Sequence, residues 1–181
     1  MVTYWAIGLL IARSRGYTSK LTIRITSNSI IVLVLSLLCQ FFLSNRYSGF
    51  GRKRLWIPII TFAACNGFYE TMIFLGVYDI ARKIQLVDKA IAVSLGFTLF
   101  SIYSALIHLY FWLPHVFPPH VKPDAPSFTK TGLPYLIIMS MGWFFLYEIQ
   151  DDILSICIIH FIIDAWSASI IRLPSPFSPR K

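Results

Sequence analysis

Asn66-Gly67-Phe68-Tyr69-Glu70-Thr71-Met72-Ile73-Phe74-Leu75-Gly76 sets one carboxylate, Glu70, into a run that carries no other charge from Leu55 to Tyr78. At about 1.5 Å per residue, that run is long enough to cross a bilayer as one helix. A charge left unpaired at that depth costs at least about 2.5 kcal/mol. Glu70 must therefore face protein, meet a partner or stay protonated. The other ionisable groups deep in apolar segments are His108, His160 and Asp164, and these four are the candidate functional residues. Asn66-Gly67 predicts a bend just ahead of Glu70. A helix that started afresh there would bring its positive end to the carboxylate.

The composition agrees with a membrane environment. Of the 181 residues 56% are hydrophobic and only 13% charged, with mean hydropathy +0.67, whereas soluble domains carry about 25% charged residues. This predicts one integral membrane domain over residues 1–181, with membrane lipids as its surroundings. The net charge of +8 does not point to nucleic acid. The basic residues stand in short stretches between apolar runs (Arg13 to Arg24, Arg46 to Arg54, Arg82 to Lys89), where they meet headgroups. The two sides of a five-span arrangement carry seven and nine of the 16 basic residues, a split that sets no orientation. Cys39, Cys65 and Cys157 have neither paired nor metal-ligand spacing and read as small core residues.

The pattern predicts an all-α fold: a polytopic transmembrane helix bundle of about five spans plus a short N-terminal interfacial helix. Val2 to Ala12 is apolar but too short to span as a straight helix. The spans are Ser29 to Ser44, Leu55 to Tyr78, Ala90 to Leu113, Tyr135 to Ile149 and Ile153 to Ile171. Asp79 to Lys89 reads as a surface connection. Pro114 to Pro134, with His115 and His120, reads as an interfacial loop, and two loop histidines make a weak metal site. Gln150-Asp151-Asp152 is so short that the last two helices must form an antiparallel hairpin. Prolines at 174, 176 and 179 keep the tail from being helical.

His160-Phe161-Ile162-Ile163-Asp164 is the sharpest local signal, because i, i+4 spacing puts both side chains on one helix face. The carboxylate can accept an imidazole N–H and fix its tautomer. The pair can equally do no more than satisfy each other between helices. Counted from the side they share, Glu70 and His160 lie at about 12 and 10 Å depth at helical rise. His108 lies nearer the other face, unless its helix tilts. A Glu and a His on neighbouring helices can activate water, and a second His can donate to an oxyanion. The same residues offer oxygen and imidazole ligands to a metal. No cofactor is expected from the sequence, and a metal or pigment ligated by His108 or His160 is the alternative to that.

The motif order resembles that of the CPBP family, the CAAX-protease and bacteriocin-processing intramembrane proteases. Glu70 to Gly76 lines up with its Glu-Glu-x-x-Phe-Arg-Gly motif. His108, in Ser104-Ala105-Leu106-Ile107-His108, is similar to its Phe-x-x-x-His motif, and His160 to Asp164 to its His-x-x-x-Asn motif. The similarity covers about residues 66–171. It implies Glu70 and His108 as activators of water, and His160 with Asp164 at the oxyanion. Thr71 stands where the second Glu would be, Leu75 where the Arg would be, and Ser104 where the Phe would be.

Two functions follow as expectations. One is a divergent CPBP-like membrane protein with weak or lost proteolysis, acting as a subunit or assembly factor of a membrane complex. The other is an active glutamic-type intramembrane peptidase that hydrolyses a membrane-proximal or lipidated peptide. Loss of the Glu–Arg pair favours the first, because a base must be ionised to take a proton.

Overall fold

The computed structural model describes residues 2–22, 24–47, 56–83, 88–111 and 132–171, and every regular element among them is helical. The chain is all-α. Helix α1 spans Val2–Ser14 and is followed by a 3₁₀ turn, Tyr17–Lys20. Helix α2 is Ser27–Tyr47. A longer helix runs from Trp56 to Arg82 as α3 (Trp56–Cys65), a π turn (Asn66–Glu70) and α4 (Thr71–Arg82). Helices α5 (Lys89–Phe111), α6 (Leu133–Gln150) and α7 (Ile153–Ile171) complete the set. His115, His120 and the prolines between them lie outside the described residues, as does the proline-rich tail.

Each long apolar run has become a helix. Among the described residues two of them, Trp56–Arg82 and Lys89–Ile107, are long and apolar enough to cross a membrane. The outward faces are apolar at helical spacing: Ile30, Ile31, Val34, Leu38 and Phe41 on α2, and Ile91, Leu95, Ile102 and Leu106 on α5 are all exposed. Helix α7 lies at the centre and touches α2, α3, the π turn and α6. Helix α5 packs along α4, and α2 along α6. Between them is an aromatic core. Tyr78 stacks on Phe144 at 4.3 Å, and Phe100 meets both Phe144 and Phe74 edge-on at 4.6 and 5.0 Å.

The connection between α6 and α7 is as tight as its length requires. Asp151 takes a left-handed conformation (φ 51°), and its N–H closes α6 on the Tyr147 carbonyl at 3.0 Å. Asp152 is buried and caps α7, its Oδ1 accepting the Ser155 N–H at 3.1 Å. Trp143 and His160, about equally far from this turn, meet with ring centroids 4.8 Å apart, so the two helices run antiparallel. Lys20 reaches Asp151 Oδ2 at 2.6 Å, but both side chains are about half exposed. Lys20→Ala is therefore expected to cost less than about 1 kcal/mol. Thermal unfolding in detergent micelles checks this.

The N-terminal helix, expected in the interface or inserted partway, packs across the π turn and α4. Gly8 lets it do so: a side chain there would run into the Tyr69 carbonyl. Asp79, expected in a surface connection, is fully buried. It accepts from Tyr17 Oη at 2.8 Å, Tyr147 Oη at 3.1 Å, Arg82 Nε at 3.0 Å and Lys83 Nζ at 2.9 Å. Arg82 also reaches Glu148 at 3.0 Å and lies over the Tyr147 ring at 5.3 Å. The bulk of Tyr17 and Tyr147, brought from distant parts of the chain, is what covers this carboxylate. Burial, Tyr147 and Asp79 push the Tyr17 phenol well above its usual range, so it stays a donor.

Candidate functional site

The bend expected at Asn66-Gly67 takes the form of the π turn, which widens one turn without ending the helix. No fresh N-terminus is made, so helix-end charge does not supply compensation for Glu70. The wider turn instead turns the Asn66 and Glu70 side chains inward, where both are buried. Gly67 allows α7 to come close: a Cβ there would lie 2.7 Å from the Phe161 nitrogen. That contact brings the preceding residue of α7, His160, level with Glu70.

Glu70, His160 and Asp164 converge, each offering a ligand atom within 4.8 Å of the others. His160 Nε2 is 3.5 Å from Glu70 Oε2 and 3.4 Å from Asp164 Oδ2. Asn66 Nδ2 donates to Glu70 Oε2 and, at 2.9 Å, to Asp164 Oδ2. Its orientation is set from the other end, where Trp5 Nε1 donates to Asn66 Oδ1 at 3.1 Å. Tyr4 Oη donates to Glu70 Oε1 at 2.8 Å and is 2.9 Å from Tyr103 Oη. Since the Tyr4 proton is committed to the carboxylate, Tyr103 donates to Tyr4. Both Glu70 oxygens thus hold an internal donor. Among the described residues no Lys or Arg pairs with Glu70.

His160 is fixed just as closely. Its ring lies stacked on Phe74 at 5.6 Å and tilted against Trp143 at 4.8 Å. The Thr71 hydroxyl is 2.6 Å from the Gly67 carbonyl and 3.0 Å from His160 Nδ1. A carbonyl can only accept, so the single hydroxyl proton goes to Gly67 and Thr71 accepts from Nδ1–H. In the neutral ring, the lone pair on Nε2 then faces the two carboxylates.

No known family model, curated protein or solved structure matches this chain.

Of the four residues expected at the site, three are together. The backbone of His108 lies in α5, and its side chain is outside the described residues. Among the described side chains of α5, Tyr103, five positions earlier, is linked to the centre through Tyr4. Sequence reasoning missed Tyr4, Trp5, Tyr103 and the holding roles of Asn66 and Thr71. Asn66 and Thr71 flank Glu70 at i−4 and i+1, and the i−4 spacing was a signal in plain view. Nothing local marks Tyr4, Trp5 or Tyr103.

Proposed function

We propose that this is an integral membrane protein of about five spans, divergent from the CPBP type, whose polar centre no longer cleaves peptides. In this reading it serves as a subunit or assembly factor of a membrane complex, and the centre pins the helices of the bundle. Helices of 18 to 21 residues, such as α6, α7 and α2, reach about 27–32 Å, the thickness of a hydrocarbon core. The observation that carries the loss of activity is the hold on Glu70: Tyr4 donates to one of its oxygens and Asn66 to the other. Donors on both oxygens favour the ionised carboxylate and make it a weaker base towards water. Thr71 and Leu75 fit the same reading. The first spends its hydroxyl on Gly67 and His160, and the second, at the position of the family's Arg, is buried among apolar neighbours.

A second reading, the active peptidase using Glu70 and His108, is favoured by the convergence of Glu70, His160 and Asp164. One assay separates the two. The purified protein and its Glu70→Gln variant are each incubated with a panel of lipidated and unmodified peptides. We expect no cleavage by either, and a stable membrane partner that co-purifies with the native chain. Cleavage by the native chain and none by the variant would establish the peptidase and overturn our reading.

A further inference from the structure

We propose that Glu70 Oε2, Asp164 Oδ2 and His160 Nε2 form a binding site for one divalent first-row transition cation of the Zn²⁺ type. Three independent features of the centre point there. The first is polarity. Thr71 accepts the hydrogen bond of Nδ1–H, so the Nε2 lone pair of the neutral ring converges on two carboxylate oxygens. Three electron-rich atoms facing one another call for a cation between them.

The second is spacing. Ligand atoms about 2.1 Å from a tetrahedral zinc lie about 3.4 Å apart. Nε2 stands 3.5 Å from one carboxylate oxygen and 3.4 Å from the other, and all three ligand atoms lie within 4.8 Å of one another, so the two carboxylates would close on the ion as it binds. An imidazole with two carboxylates suits zinc and its first-row neighbours, whereas calcium and magnesium prefer oxygen alone.

The third is support around the ligands. Thr71 fixes the tautomer that exposes Nε2, as the partner on the far nitrogen of a metal-bound histidine does. Asn66, itself held by Trp5, donates to both carboxylates and keeps them on the same side. Phe74 and Trp143 hold the ring. Thr71 is thus a positioning residue for the ligand His160.

The site does not depend on peptidase activity. A loaded centre that cuts no peptide upholds both proposals, and a zinc-dependent peptidase would overturn only the preceding one. The test uses the full chain in detergent micelles, stripped with a chelator and titrated with Zn²⁺ alone, then with Co²⁺ for its visible absorption. We expect one Zn²⁺ per chain and Co²⁺ bands of a four- or five-coordinate site. Asp164→Asn and Glu70→Gln should each weaken Zn²⁺ binding at least about tenfold, while Asp151→Asn, at an exposed carboxylate, leaves it unchanged. Thr71→Val should weaken binding about 10–100-fold, and Thr71→Ser, which keeps the hydroxyl, should restore it. A folded native protein that takes up no Zn²⁺ overturns the proposal, since a proton shared by the three groups then suffices. So does uptake that none of Asp164→Asn, Glu70→Gln and Thr71→Val alters. If the ligand variants do not fold, the contrast between Thr71→Val and Thr71→Ser decides.

Discussion

Asp79→Ala is expected to destabilise the folded protein by about 3–5 kcal/mol, the cost of removing one partner from a buried charge network. The carboxylate is fully buried and receives two tyrosine hydroxyls and two cationic side chains. Without it, Tyr17 Oη and Tyr147 Oη lose their acceptor in the interior. Arg82 keeps Glu148, so it retains one anionic partner. The network ties together the turn after α1, the end of α4 and the end of α6, so its loss should loosen three elements at once. Asp79→Asn keeps an acceptor oxygen and should lose less. Unfolding in detergent micelles, by heat or by a denaturing surfactant, reads both variants. A loss below about 1 kcal/mol for the alanine would show that the network contributes no more than an exposed pair.

Gly67→Ala should be the most damaging change at the centre itself. The added methyl would lie 2.7 Å from the Phe161 nitrogen and 2.8 Å from its Cα. These are backbone atoms in the middle of α7 and have no rotamer into which to move. Overpacking of this kind costs about 1–3 kcal/mol. The larger effect is geometric, because α7 must retreat from the π turn and carry His160 and Asp164 away from Glu70. Gly142→Ala is the comparison, since the three atoms nearest its methyl would all belong to the Val32 side chain, at 3.0 Å and beyond. We expect Gly67→Ala to abolish the Co²⁺ spectrum and lower the unfolding temperature, and Gly142→Ala to do neither to a comparable degree. Equal behaviour of the two would mean that the close approach at Gly67 is not what aligns the centre.

Much of the helical layout was legible, because runs of apolar side chains have few ways to satisfy their backbone other than as helices. The weak point at Asn66-Gly67 was legible for a related reason: glycine invites close approach and asparagine competes for backbone partners. The i, i+4 pair of His160 and Asp164 was legible from helical periodicity alone. What escaped were contacts between residues far apart in the chain. Eleven apolar residues at the N-terminus look too short to matter inside a bundle, and only the fit of Gly8 against Tyr69 explains their place there. Asp79 follows an apolar run and precedes Arg82 and Lys83, so its local surroundings resemble a helix end in solvent. Its burial depends on Tyr17 and Tyr147, which no local pattern links to it. Thr71 looked like the loss of a carboxylate, whereas its hydroxyl orients a histidine nearly ninety positions later.

The arrangement around Glu70 also sets an order of events during synthesis. Its two donors, Tyr4 and Asn66, precede it in the chain, so they have already left the ribosome when the carboxylate emerges. Tyr103, His160 and Asp164 come later. The acid is therefore shielded by residues already made, and the electron-rich side of the centre closes only when the last helix arrives. A nascent chain halted between Phe111 and Leu133 would contain the Glu70 carboxylate and its two donors, but neither His160 nor Asp164.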